Sequence, residues 1–473
     1  MEISDDVKKW THIVLITATY LVISRAVAFA DDRLTLTGRV SDSAGKPIER
    51  ATVMVYHAGV KKGYSTYCPS CYVDCGKRTI TDTHGMFTFK GLSPDLWFQL
   101  LLAGEGYEPA FVNKVDPSSG VPITATLVSR RSVSDSERVF RGRVVDSHGS
   151  AVRDAVVQPV GALFDTKTGA SRYGPLPGLD PIAISNEGGE FEIAYSQSAE
   201  KIQGLPSAFA KVPVGILVSV EARKMAPSFA VLSAGVERRP LIITEGATVR
   251  GRLVQNDKPV ANAEVGLIGR PRGGFGRNLE LVGHPYNELR IGTEPDGTFA
   301  ITNVPAPVDW YIYGKMESIA TRGATGAVEC ATKRDQEIVD VGNLQIEPAH
   351  RLRGSVVLSD GKPIPDGMRI TVSSETAWDD QTAMLPPDGR FEFLGLAVGN
   401  YSVFASVKGY ALPKTPPVER RRADGSVETT FAPGVPPPLL VNHDVDDFVI
   451  TLHPENQTSP MGNGSTPSQP RPR

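Results

Sequence analysis

Leu36–Tyr56 reads LTGRVSDSAGKPIERATVMVY, and its pattern predicts two strands around a turn. Leu36, Gly38 and Val40 lie in a run of alternating character, Asp42 to Lys46 supply turn-forming Asp, Ser and Gly, and Ala51, Val53 and Val55 alternate with Thr52 and Met54. Pro47 has no N–H to donate and must fall outside a central ladder.

The same construction returns three times. Gly142, Val144, Asp146, Gly149, Val152, Ala155 and Val157 form the second copy; Gly251, Leu253, Asn256, Lys258, Pro259, Val260, Ala263, Val265 and Leu267 the third; Gly354, Val356, Asp360, Gly361, Pro363, Ile364, Met368, Ile370 and Val372 the fourth. The steps from Gly38 to Gly142, Gly251 and Gly354 are about 104, 109 and 103 residues, the size of a small domain rather than a solenoid repeat. Each copy continues with a polar turn ending in glycine and, two residues on, a phenylalanine: Gly85 and Phe87, Gly189 and Phe191, Gly297 and Phe299, Gly389 and Phe391. The glycine suits a turn needing positive φ, and the phenylalanine is a core residue. Further strands are expected at Trp97–Leu102, Ile216–Val220, Trp310–Tyr313 and Tyr401–Val407, with closing strands at Ile123–Val128, Leu241–Thr244, Val339–Ile346 and Phe448–Leu452. Short strands punctuated by Gly, Pro and Asp, with almost no helical periodicity, predict an all-β chain of tandem sandwiches.

GRVSDSAGKPIERATV followed by TDTHGMFTF resembles the carboxypeptidase regulatory-like domain, a transthyretin-like, immunoglobulin-like β-sandwich. Four tandem copies are expected over 34–129, 138–245, 247–347 and 350–453, although the second has Ser150 and Ala151 where the first has a lysine and a proline after the turn glycine. The resemblance implies an accessory, non-catalytic module that serves folding, docking or surface recognition, and related sandwich families include carbohydrate binders. Fold analogy alone does not fix a task.

At the start of the chain, Lys8 and Lys9 precede an apolar run from Ile13 to Ile23, and Ala28, Phe29 and Ala30 give a small-x-small cleavage pattern. Residues 1–30 are read as a signal peptide, with the acidic Glu2, Asp5 and Asp6 leaving a retained anchor as the alternative. The expected location is secreted, periplasmic or cell-surface, with no membrane span in the mature chain unless that segment stays. With 46 Gly, 37 Pro and a net charge of −3, the composition suits an exported β-rich protein and offers no basic field for nucleic acid. Ser129–Glu137 reads as a hydrophilic linker, the joins at Glu245–Thr248 and Glu347–Arg351 are short, and 454–473 reads as a disordered tail.

Cys68, Cys71 and Cys75 lie in YCPSCYVDCGK, and Cys330 stands apart. Disulfide, metal and thiol-redox readings compete there; an oxidising compartment makes disulfides the default, with Cys330 as a further candidate. None of the eight histidines has Glu three residues on, so the zinc motif of a metallocarboxypeptidase is not matched. Nucleophile-elbow, phosphate-loop and dinucleotide motifs are absent too, so no catalytic residue, metal ligand or cofactor is assigned. The segments between the first and second elements carry the aromatics. Tyr173, Phe275, Tyr286 and Trp378, with Asp379 and Asp380, are the candidate ligand-binding residues, because rings beside carboxylates suit sugar stacking; packing of each ring onto its own sandwich is the alternative. Asp379 and Asp380 read otherwise as solvated loop carboxylates. The task expected is a scaffold or adhesion-type protein binding a cell-surface or extracellular protein or polysaccharide, with a carbohydrate-binding protein and a thiol or metal enzyme at the cysteine cluster as alternatives.

Overall fold

The computed structural model describes residues 33–63, 69, 72–130, 138–164, 171–174, 178–195, 213–235, 238–270, 288–377, 379–412, 418–421, 427–430 and 438–455. The proposed signal peptide and most of the C-terminal tail lie outside them. Nearly all regular structure is strand. The first seven strands are β1 (Leu34–Asp42), β2 (Thr52–Val60), β3 (Arg78–Ile80), β4 (Met86–Leu92), β5 (Leu96–Ala103), β6 (Ala110–Val115) and β7 (Ile123–Leu127). They form two sheets, ordered β4-β1-β7 and β3-β2-β5-β6. Between them lies a core that includes Leu36, Val40, Val53, Val55, Phe87, Phe98 and Leu127. Three further core clusters follow along the chain, around Phe191, Trp310 and Phe391.

One pairing scheme recurs. β1 runs antiparallel to β4 and parallel to β7. The strand Val139–Val145 likewise pairs with Glu190–Ala194 and, in parallel, with Arg239–Ile242. Ala247–Gln255 does so with Thr298–Val304 and Ile338–Gln345, and His350–Leu358 with Arg390–Leu396 and Val445–Pro454.

The first-strand glycines have a steric cause. A Cβ on Gly142 would stand 2.5 Å from Cζ of Phe191, and one on Gly38 would stand 2.4 Å from Cζ of Phe87. At Gly251 and Gly354 the corresponding distances to Phe299 and Phe391 are 2.8 and 2.9 Å. Each phenylalanine ring therefore lies over a bare backbone on the neighbouring strand. The turn that delivers the ring is fixed as well: Gly85 has φ of 73°, and a Cβ there would come 2.3 Å from the Val40 carbonyl oxygen.

A buried hydroxyl ties the turn to the second strand. Thr81 Oγ1 donates to the Ile48 carbonyl at 2.7 Å and accepts from the Ala51 N–H at 2.8 Å. Ser185 repeats both bonds with Val152 and Ala155, and Thr293 accepts from Ala263.

The sheet pairs are packed against one another, including where a loose linker is expected. Met54, Leu101 and Ala103, on the outer face of the β2–β5 sheet, meet Val156 and Ile182 in a second apolar cluster. Arg50 pairs with Asp154 beside it, and Arg78 with Glu221 at 2.8 Å. The alternation that points Met54 outward is correct, but a neighbouring sandwich covers it. At the next junction the Asn303 side chain donates to the carbonyls of Lys224 and Glu245, at 2.9 and 2.7 Å. Among the described residues no helix is long and apolar enough to cross a membrane.

If the ring-on-glycine contact limits this fold, Gly142→Ala should destabilise the second core by about 1–3 kcal/mol, the usual range for overpacking. Phe191→Leu should make room for the new methyl, so the double variant should be at least about 1 kcal/mol more stable than the summed single effects. Urea unfolding of the four proteins measures this; strictly additive losses would remove the steric account.

Candidate functional site

A group of buried charges lies between the third and fourth cores. Glu288 precedes the strand Leu289–Gly292, and Tyr313 lies near the end of Val308–Gly314. Lys315 follows as the residue before a single helical turn, Met316–Ile319. Asp379 comes from the fourth sheet pair, in the connection between the strands Arg369–Ser374 and Asp380–Met384. The Ser374 N–H donates to the Asp379 carbonyl at 2.8 Å. The Asp379 side chain is 8% exposed and that of Lys315 3%.

The Lys315 ammonium pairs with Asp379 and, at 2.9 Å, with Glu288. Glu288 also pairs with Arg290 and accepts from the Tyr313 hydroxyl. Asp379 Oδ2 accepts the Met316 backbone N–H at 2.7 Å, a cap on the helical turn supplied from the neighbouring sandwich. Its Oδ1 meets the ammonium by charge, off any well-directed hydrogen bond. Ile268, Tyr313 and Ala377 form the apolar part of the junction. Beside it is a cleft of about 280 Å³ whose lining includes Met316, Thr325, Thr376, Asp379 and Tyr401.

Burial pushes the Asp379 carboxyl up to about 6 despite Lys315 beside it. Glu288 behaves oppositely: burial works to raise it, but Lys315 and Arg290 outweigh burial and hold it below the ordinary value. Burial works to lower Lys315, yet Asp379 and Glu288 keep it above its ordinary value. One ammonium, one guanidinium and two carboxylates therefore answer one another, and the arrangement joins two sandwiches.

Of the candidate ligand-binding residues, Phe275, Tyr286 and Trp378 lie outside the described residues. Tyr173 closes the strand Ser171–Tyr173, where it pairs with Gly161. Asp379 is buried, against the expectation of a solvated loop carboxylate: its partners, Lys315 and the Met316 N–H, come from another sandwich and are invisible to local sequence. Asp380 opens the next strand, and its charge acts on Arg290. Sequence reading missed Glu288, Tyr313 and Lys315. The available signal was a lysine directly after the apolar strand VDWYIYG.

Cys68 and Cys71 also lie outside the described residues. Cys75 and Cys330 are free, partly buried thiols. Cys330 is in the strand Val328–Thr332, opposite Trp310; Cys75 packs on the first core, its thiol 3.3 Å from the Pro69 carbonyl. Burial pushes each thiol up to about 11, away from the thiolate needed for nucleophilic or redox work. Among the described residues no group of three His, Cys, Asp or Glu side chains could hold a metal ion.

Residues 35–128 match the carboxypeptidase regulatory-like domain, and that segment belongs to this family. No curated protein matches the chain. Solved structures with a likeness include a streptococcal ancillary pilin, 13% identical over 67% of this chain and 99% of that one, with a TM-score of 0.18. The major pilin subunit BcpA of Bacillus cereus is 10% identical, covering 89% of this chain and 100% of that one at a TM-score of 0.15. The Bacillus anthracis TIE protein is 9% identical, covering 89% and 75% at 0.15. These likenesses carry no argument about function.

Two measurements follow from the site. Between about pH 4, the ordinary Asp value, and pH 6, folded Asp379 keeps a proton that the unfolded chain has released, so its contribution to stability falls as pH rises through that window. Wild type should therefore lose on the order of 2–3 kcal/mol relative to Asp379→Asn from pH 4 to 6, with the difference flat above. Parallel urea-stability curves for the two proteins would refute it. Separately, peptide-resolved alkylation at pH 8 should modify Cys75 and Cys330 roughly a hundredfold more slowly than a thiol of ordinary pKa. Rates equal to a model thiol would show that neither is shielded.

Proposed function

We propose that the chain, with residues 35–128 a carboxypeptidase regulatory-like domain, is an exported, non-catalytic scaffold. On this reading four sandwiches spanning 34–129, 138–245, 247–347 and 350–453 are held in fixed relation. They present successive surfaces to a cell-surface or extracellular protein or polysaccharide.

The observation that carries the reading is the use made of buried charge. Lys315, Glu288 and Asp379 could serve acid/base chemistry in an open cleft, where a catalytic group keeps a free atom for substrate. Here their charges are answered by one another, by Tyr313 and by a helical cap across a junction, and the Asp379 oxygen that lacks a directed hydrogen bond is enclosed against the Lys315 ammonium. Such a network sets the angle between neighbouring modules, as a display scaffold requires. The raised thiols of Cys75 and Cys330 weigh against the thiol-enzyme alternative.

The test is topological. On intact source cells, a membrane-impermeant amine reagent should label the chain while sparing a cytoplasmic marker, and N-terminal sequencing of the purified protein should begin at Asp31. Labelling only after lysis would defeat the proposal; an outward-facing chain that keeps its first thirty residues would make it an anchored scaffold.

A further inference from the structure

The outer face of the first unit's four-stranded sheet is only partly covered by its neighbour. Along β5 the side chains of Trp97, Gln99, Leu101 and Ala103 alternate with the core residues Leu96, Phe98, Leu100 and Leu102. Leu101 and Ala103 lie beneath the second unit. The same face then continues into the open through two rows of rings separated by a row of amides. In the row nearest the covered end, Phe111 of β6 stands opposite Leu101, and the Tyr56 ring meets it edge-on with centroids 5.2 Å apart. His57 lies tilted against Tyr56 at 4.3 Å. Next comes Gln99, opposite His57, its amide donating to Asn113 Oδ1 at 2.7 Å. Trp97 ends the face with Lys61 over its ring at 5.7 Å. Trp97 and Phe111 are 39% and 41% exposed.

We infer that this face, centred on Trp97, Gln99, Phe111 and Asn113, is a binding platform for an extended neutral polysaccharide. Three features select that occupant. Trp97 and the Leu101–Phe111 row are four residues apart along a strand, about 13 Å at strand rise, so rings stand at both ends of a flat track. A pyranose offers such rings an apolar C–H face, the one part of a hydrophilic polymer that gains from leaving water against an aromatic surface. Between the rings, Gln99 is hydrogen-bonded to Asn113 and to His57, and the two carboxamides keep further N–H and lone-pair capacity, which sugar hydroxyls can fill in both senses.

A second protein would fit less well. Docking an apolar surface here would strip water from the amide row without replacing its bonds, at a cost that sugar hydroxyls avoid. The charge balance agrees. Lys61, the cation over Trp97, is already paired with Asp116 and bonded to Ser118. No acid lies in β2, β5 or β6 to select a cationic partner, and the one lysine of these strands is Lys114, exposed beside Asn113 in β6. Continuity with the packed junction matters as well, because the second unit fixes one end of the sheet and holds the ring rows level.

The aromatic loop residues taken from sequence as sugar ligands are separate from this face. The inference needs the scaffold reading only to place the protein where such polymers are, so binding by purified chain tests it independently of export. Affinity electrophoresis of the full chain through gels containing β-glucan, mannan, xylan or galactan should show retardation by at least one neutral polymer. Trp97→Ala and Phe111→Ala should each weaken retardation at least about tenfold, and Val398→Ala, at an exposed apolar residue of the fourth unit, should leave it unchanged. Unaltered urea midpoints would exclude misfolding; should Phe111→Ala lower the midpoint, Gln99→Ala with Asn113→Ala replaces it. No retardation by any of the four polymers, or retardation indifferent to these variants, overturns the inference. So does concentration-dependent dimerisation in sedimentation that the Trp97 variant abolishes, which would assign the face to a second copy.

Discussion

A phenylalanine ring resting on a glycine of the neighbouring strand is the contact on which each sandwich depends. Gly38 with Phe87, Gly142 with Phe191, Gly251 with Phe299 and Gly354 with Phe391 repeat it in every core. The geometry needs two concessions from the backbone at once. The first strand must forgo a side chain, and the turn before the ring must take positive φ, as Gly85, Gly189, Gly297 and Gly389 do. A glycine inside a strand ordinarily costs stability. The burial of the ring it admits compensates, since losing a core phenylalanine costs about 3–5 kcal/mol.

That economy explains what was legible in the amino-acid sequence. The turn glycine and the phenylalanine two residues on are determined locally, so the strands and the all-β class could be read without a structure. The parallel closing strand was less accessible. Ile123–Leu127 looks like any half-buried strand, and only the packing of the complete sandwich places it alongside β1 in parallel. The outward residues fared worst. Alternation correctly turns Met54 and Leu101 away from their own core, but it cannot say that Val156 and Ile182 will cover them. Asp379 fails in the same way. A carboxylate in a polar segment is solvated by default, and the partners that bury it are sixty or more residues away in sequence.

The junctions use different physics. Between the first and second units, apolar side chains supply the contact, and the flanking pairs Arg50–Asp154 and Arg78–Glu221 are partly exposed, where an ion pair contributes about 0–1 kcal/mol. Between the second and third, Asn303 clamps two backbone carbonyls and so fixes a turn rather than a broad surface. Between the third and fourth, the charges are deeply buried. Desolvating Lys315 and Asp379 offsets much of their attraction, so Ile268, Tyr313 and Ala377 must supply the net adhesion. The ions add direction: the buried carboxylate of Asp379 in the fourth unit is answered by Lys315 and the Met316 N–H of the third.

Buried charge of this kind separates stability from geometry. Apolar contact tolerates sliding, because its energy follows area and is indifferent to direction. A lysine held between carboxylates from two units, one of which also caps a helical turn, is satisfied at a single offset. Replacing Lys315 and Asp379 by well-packed apolar residues could therefore leave the junction as stable while freeing its angle. What such a chain would lose is the fixed relation between the faces its units present, including the ring-bearing face of the first unit, whose Lys62 carbonyl accepts from Arg369 of the fourth. A polymer engaging several units at once depends on that relation, because each later contact gains from the first only when the spacing between them is already set.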